Sequence, residues 1–166
     1  MARMNPACRT SLRIGLLLAT ALALPVCAPS ARAVPLHQLP RVTVMLHGQR
    51  FITQVATTDA TRAHGLMNRT HLAADEAMLF VFRHQAPRWF WMKDTRIPLD
   101  MLFFDARRRL VSMQLDARPC TGTPCTIYPS GKEAMYVLEV AAGSARRIGA
   151  HPGDRLVIEG SYGTVQ

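Results

Sequence analysis

The sequence predicts a mainly β fold: a compact β-sandwich or small barrel of about eight short strands, with one or two short helices laid over it. Three observations lead there. Short runs rich in Val, Ile, Thr and Phe recur with turn residues between them roughly every 8–12 positions. No stretch sustains a helical period. The composition, 49% apolar and 19% charged over 166 residues, suits a globular chain with a single core.

Val42 to Leu46 and Gln49 to Ala56, separated by His47-Gly48, have the pattern of a β-hairpin. Thr57-Thr58-Asp59 offers an N-cap to a short helix through Ala63-His64, and Gly65 suits the position after its end. Leu66 to Glu76 reads as a loop carrying Met67 and Arg69. Three strands are expected next: Ala77 to Phe82, Arg88 to Met92 and Leu99 to Asp105. The first is apolar throughout, so both of its faces should be covered. Arg109 to Leu115 pairs back across Ala106-Arg107-Arg108, where the arginine run is solvated turn charge. Ala134 to Val140 is a further strand, and Ser144 is placed to cap a last short helix ending near Gly149. His151-Pro152-Gly153-Asp154 then turns the chain into a final strand, Arg155 to Glu159.

Ahead of this domain lies a segment of a different kind. Residues 1–13 carry Arg3, Arg9 and Arg13 without an acid, Ile14 to Leu24 is unbroken apolar chain, and Ala31-Arg32-Ala33 is an A-x-A cleavage site. That is the plan of a secretory signal peptide, with an apolar run too short to span a bilayer, which takes about 20 residues. The expected organisation is therefore a signal peptide over 1–33, a flexible lead-in over 34–40 and a single domain over 41–166, in a periplasmic or secreted protein with no stable transmembrane segment after cleavage. Removing Arg3, Arg9, Arg13 and Arg32 lowers the net charge from +9 to +5. The basicity that would have argued for nucleic acid belongs largely to the export signal, and nucleic acid is not an expected partner.

Cleavage also removes Cys8 and Cys27, leaving Cys120 and Cys125 in the loop RPCTGTPCTIYPSG. In an oxidising compartment such a pair most simply forms a disulfide, worth about 2 kcal/mol for so small a ring. A metal site would need two further ligands, and a redox-active dithiol more usually has C-x-x-C spacing.

The strong catalytic and cofactor signatures, G-x-S-x-G, H-E-x-x-H, G-x-G-x-x-G and the Walker loop, are missing, so no cofactor is expected. The histidines outside the signal segment (His37, His47, His64, His71, His84, His151) fall in turns or at element ends with no i, i+4 pair, so no metal is expected either. What stands out is Trp89 to Asp100, WFWMKDTRIPLD. A strand alternating Trp89 and Trp91 with Phe90 and Met92 runs into a charged turn and re-enters the sheet through Pro98. Aromatic walls beside a few fixed polar groups are what a ligand pocket needs, although an aromatic core with a salt-bridged turn would look the same.

These residues form part of a wider pattern. Gly65-Leu66-Met67-Asn68-Arg69, Met78-Leu79-Phe80-Val81-Phe82, Phe90-Trp91-Met92-Lys93-Asp94-Thr95 with Ile97-Pro98-Leu99-Asp100, and Tyr136-Val137-Leu138-Glu139-Val140 with Gly153-Asp154 occur in that order. From about residue 42 to residue 160 the chain resembles the bacterial and archaeal domain-of-unknown-function 192 family. The resemblance implies a compact, mainly β fold, often behind a signal peptide or anchor, and no established activity. The family motif FWMKNT has Asn where this chain has Asp94, and a bulkier residue is common at the position of Asn68.

Three functions fit the residues. The first is an exported binding or accessory module for a small polar or anionic ligand or an envelope protein. Its candidate residues are Arg69 as a fork for carboxylate or phosphate, Trp91 as a stacking wall, Lys93 as a point charge, Asp94 and Thr95 beside them, and Asp100 to hold a cation. Arg69 and Asp100 could equally form a structural ion pair. The second is a hydrolase or lyase on an envelope saccharide or peptide, with Asp94 and Asp100 as the acid/base pair. The third is periplasmic copper binding by thioethers among Met45, Met67, Met78, Met92, Met101, Met113 and Met135, which as single residues along strands read better as core.

Overall fold

Arg41–Leu46 (β1) and Gln49–Ala56 (β2) pair antiparallel, with Leu46 opposite Gln49. The two residues between them, His47 and Gly48, both have positive φ (51° and 79°), the turn that matches the twist of a two-residue hairpin. The computed structural model describes residues 39–166, so residues 1–33, expected to be a signal peptide, and 34–38 lie outside the described residues. Leu39 and Pro40, read from sequence as lead-in, already belong to the domain: Leu39 is buried, and the Pro40 carbonyl accepts from the Val55 N–H at 2.9 Å.

Helix α1, Asp59–His64, begins at Thr58, whose hydroxyl accepts from the Thr61 N–H while the Thr61 hydroxyl accepts from the Thr58 N–H. It ends at Gly65, with φ of 48°. A Cβ there would meet the Phe80 ring at 3.3 Å, so glycine serves both the backbone and the packing. The crossover through α1 returns the chain as β3, Glu76–Trp91, parallel to β2. Leu99–Phe104 (β4), Leu110–Ala117 (β5) and Ile127–Ala141 (β6) follow, then α2 (Ser144–Arg147) and β7 (Val157–Glu159).

The fold is mainly β, as expected; among the described residues there are two short helices and seven strands, which form one sheet in the order β5-β4-β6-β3-β2-β1-β7. Ala77 to Phe82 and Arg88 to Met92 are parts of a single strand, β3. Register shifts between Val81 and Ala86 and between Pro87 and Trp89 let the proline pass without a ladder donor. The same irregular stretch of β6 carries Pro129-Ser130-Gly131, which reads as a turn in sequence. Here the Ser130 hydroxyl accepts from the Arg88 N–H at 3.0 Å. Among the described residues all strands join one sheet, in which β6 pairs with β3 on one side and β4 on the other. The edge strands do not pair along their length, so the sheet is not closed. They are nevertheless tied: Leu110 N–H donates to the Asp154 carbonyl at 2.8 Å and Leu156 N–H to the Arg108 carbonyl at 2.9 Å.

Strand parity splits the buried side chains between two faces. Val44, Phe51, Leu79, Val81, Leu102, Phe104 and Leu138 fill one core, and Met78, Phe80, Met101, Phe103 and Val137 belong to a second. Both faces of Ala77 to Val81 are thus covered, as its apolar run requires.

Asp100 is where a polar residue holds this framework. It is 1% exposed; Oδ1 accepts from the Asp116 N–H at 2.9 Å and Oδ2 from the Ala145 N–H at 3.0 Å. The first bond secures the irregularity at which the β4–β5 register slips between Leu99 and Met101. The second serves the start of α2. Ser144 does not cap that helix; it lies inside the first turn, the cap position is Gly143 with φ of 85°, and no side chain of the cap residue bonds the helix. The capping acceptor comes instead from β4, because a residue in the left-handed region with no side chain cannot supply it. Asp100→Ala should lower stability by about 3 kcal/mol through two stranded N–H groups, with Asp100→Asn intermediate. Urea denaturation measures this, and unchanged midpoints would mean that water replaces the carboxylate.

Candidate functional site

The turn after β3 gives the site its shape. Thr95 N–H donates to the Met92 carbonyl at 3.2 Å, and the tight bend leaves Lys93 and Asp94 exposed while burying Met92 and Thr95. Asp94 takes φ of 55° and Asn68, on the facing loop, φ of 62°. The Asn68 N–H donates to the Asp94 carbonyl at 2.7 Å, zipping the two loops together. Asn and Asp are the non-glycine residues that best tolerate this backbone, so Asp94 in place of the motif's Asn keeps the conformation while changing the charge.

Between these loops and α1 lies a recess of about 30 Å³, room for the end of a ligand. Lys93 and Thr95 wall one side, Arg62, His64 and Met67 another, and Glu139 of β6 is among its lining residues. Glu139 is 4% exposed, and its neighbours in the flanking ladders are Met78 and Met101, both fully buried. No hydrogen bond to its carboxylate is seen among the described residues, and its oxygens keep access to the recess, since no fully sealed side-chain oxygen or nitrogen there lacks a partner. Burial among apolar neighbours disfavours the charged form and pushes the Glu139 carboxyl up to about 8. At neutral pH it is therefore a carboxylic acid able to donate one hydrogen bond and accept another. Arg62 is already committed to Asp59, the Val81 carbonyl and the Gln166 carbonyl, whereas Lys93, exposed beside Trp91, offers an ammonium to an occupant.

Trp91 and Lys93 also line a larger, more apolar groove of about 480 Å³, completed by Asp94, Ile127 and the cysteine loop. Cys120 and Cys125 are disulfide-bonded. Strand alternation sends Phe90 inward, edge-on to Phe80 and Phe103 at 5.1 and 5.8 Å, and turns its neighbours outward. Trp89 is 67% and Trp91 49% exposed, and the Lys93 ammonium lies 5.5 Å from the Trp91 ring centre.

Of the residues singled out from sequence, Trp91, Lys93, Asp94 and Thr95 therefore come together here. Arg69 and Asp100 do not join them. Arg69 hydrogen-bonds the Gln54 side chain, and Asp100 is occupied by two backbone donors, so the two form no ion pair. Nor do Asp94 and Asp100 share a cavity: one is on an exposed rim and the other inside the sheet. Met78 and Met101 are core residues, whereas Met67 lines the recess with His64, and Met92 is buried beneath the cysteine loop. Glu139 is not among the residues that spacing in the sequence singles out. Its signal was present, a single acid at a core-facing position of the apolar strand AMYVLEV.

The profile of the DUF192 family, described as "Uncharacterized ACR", matches residues 42–158. The chain belongs to the DUF192 family. Two crystal structures are similar to it, each at 34% identity. One, from Sinorhizobium meliloti 1021 and described as a "putative transcription regulator", has a TM-score of 0.66 over 72% of this chain and 95% of that one. The other, a protein of unknown function from Novosphingobium aromaticivorans DSM 12444, has a TM-score of 0.69 over 76% and 91%. A comparison with curated proteins finds no match.

In this DUF192 member the four sequence runs that carry the family pattern meet at the recess: Gly65 to Met67, Phe80, then Phe90, Trp91, Lys93 and Thr95, and Glu139 each contribute to its lining. The raised Glu139 pKa sets a pH signature. Between about 4.5 and 8 the folded state keeps a proton that the unfolded chain releases, so stability falls as pH rises through that window and levels off above it. The slope is at most about 1.4 kcal/mol per pH unit for one proton. Glu139→Gln, which stays neutral, should match the wild type near pH 4.5 and grow progressively more stable than it toward pH 8. Denaturation midpoints taken across this range test the assignment, and parallel curves for the two proteins would contradict it.

Proposed function

We propose that this DUF192 member is an exported binding or accessory module, working in the periplasm or outside the cell, that holds a small ligand bearing an anionic or polar oxygen. One observation carries the reading: a largely buried carboxyl, with no donor seen among the described residues, opens onto the recess where the family's four sequence runs converge. Leaving such a group unpaired costs stability, and interiors otherwise exclude it. An occupant would relieve the cost by accepting from the protonated Glu139, with Lys93 supplying positive charge. The body of the ligand would lie in the adjoining groove against Trp91, where an indole face accommodates a flat or apolar portion.

Export is supported by the arginines, apolar run and A-x-A site at the N-terminus and by the cysteine pair, a bond that persists in oxidising compartments. The acid/base and copper readings find less support, since Asp94 and Asp100 lie apart and most methionines are dispersed through the core. The regulator description of the Sinorhizobium relative does not transfer easily. The two helices among the described residues span Asp59–His64 and Ser144–Arg147, too short for a recognition helix in a major groove.

Native mass spectrometry on protein expressed with its own N-terminus and recovered from the periplasm tests the proposal. The expected species is residues 34–166 less two hydrogens plus an organic adduct, with the adduct weakened about tenfold or more by Lys93→Ala and by Trp91→Ala. Full-length cytoplasmic protein would overturn the export reading. A clean mature mass with no adduct, and no fluorescence response of Trp91 to periplasmic extract, would overturn the binding reading.

A further inference from the structure

At the opposite end of the chemistry from the recess, the fold gathers a second set of polar side chains that sequence spacing hides. His47 stands in the β1–β2 turn, while His151 and Asp154 stand in the loop between α2 and β7. The ligand atoms these three offer lie within 4.8 Å of one another. We propose that His47, His151 and Asp154 form a binding site for a divalent transition cation of borderline character, with zinc as its type.

The local hydrogen bonds prepare each group for that role. His47 Nδ1 lies 2.6 Å from the Ile148 carbonyl oxygen. A carbonyl can only accept, so Nδ1 carries the proton and the lone pair of the neutral ring is on Nε2. Donation from the non-ligating nitrogen to a backbone carbonyl is the arrangement that orients metal-binding histidines. Asp154 is held before any metal arrives. Its Oδ2 accepts from the His151 N–H at 2.8 Å, and its carbonyl accepts from the Leu110 N–H at 2.8 Å. Its Oδ1 faces His151 Nδ1 at 3.2 Å, and its side chain is 9% exposed. Arg109 adds a bond to the Gly153 carbonyl at 3.4 Å, fixing the loop from the other side. The imidazoles lie edge to face, 5.4 Å between ring centres, and both are exposed, so either can rotate.

Zn–N bonds of about 2.0–2.1 Å put tetrahedral ligands roughly 3.3 Å apart. The three groups therefore need to close by up to about 1.5 Å, which the two exposed imidazoles can supply by rotating toward Asp154. Two imidazoles and one carboxylate match the donor preference of zinc, nickel and copper(II) over calcium or magnesium, which take all-oxygen sets. Three protein ligands leave at least one position open to water or a small anion. A bound ion would also clamp the β1–β2 turn to the loop that enters β7.

Zinc chloride added to the metal-stripped protein tests the site by calorimetry and thermal denaturation. Binding of one ion per chain is expected, with a rise in Tm of roughly 5–10 °C at a hundredfold excess over Kd, reversed by EDTA. His47→Asn, whose side chain tolerates the positive φ of the turn, and His151→Gln should each weaken binding at least about a hundredfold. Their Tm in EDTA should match that of the wild type. His84→Gln, on exposed β3, should bind normally. If His47→Asn alone fails to fold, His151→Gln and zinc-induced shifts of the two imidazole NMR signals in the wild type decide. Absence of zinc binding, or binding that survives both substitutions, would overturn the proposal.

Discussion

Strand β6 lies between β3 and β4, and from Tyr136 to Val140 each residue is laddered on both sides while helix, loops and sheet curvature cover both faces. A side chain there has only two directions available, and each leads into a packed core. Tyr136, Leu138 and Val140 take one and Val137 the other. Glu139 has the parity of Val137, so its carboxyl is carried into apolar surroundings from which a backbone hinge cannot release it. The recess, the unusual acidity and the convergence of the four family runs all follow from that central placement.

The same framework separates positioning from chemistry. Asp100, on the neighbouring strand β4, is equally buried yet fully served by two backbone donors, so its burial is structural. Glu139 is buried without a protein donor among the described residues, so what its burial leaves over is the capacity to bond something else. Two acids close in sequence to aromatic or apolar runs thus have opposite meanings. The difference is whether N–H groups reach them, a property of the sheet rather than of the residue.

Much of the fold was legible locally. The hairpin around His47-Gly48, the reciprocal cap at Thr58, the stop at Gly65 and the two-faced burial of Ala77 to Val81 appear as the local patterns imply. The aromatic alternation at Trp89 to Met92, with Trp outward and Phe90 inward, was legible for the same reason: strand parity is a property of consecutive residues. The turn residues of the candidate site, Trp91 with Lys93 to Thr95, came with it. Charge and sequence pattern suggest Arg69 and Asp100 for that site, but the fold engages both elsewhere. Their partners, the Gln54 side chain and the N–H groups of Asp116 and Ala145, come from other elements and leave no trace in the neighbouring sequence.

By itself, the sequence determined what a few consecutive residues can settle: the β class, the parity of each strand, the first helix and its caps, and membership of a family pattern. Tertiary structure decided which strands pair, that Ala77 to Phe82 and Arg88 to Met92 are one strand, that a single sheet forms, and that Glu139 faces a recess. It also decided that His47 meets His151 and Asp154. The physical reason is the range of the interactions. Turn dihedrals, caps and alternation are set by bonds and sterics within one or two turns of chain, whereas pairing and convergence depend on hydrogen bonds and packing between residues that only the folded sheet brings together.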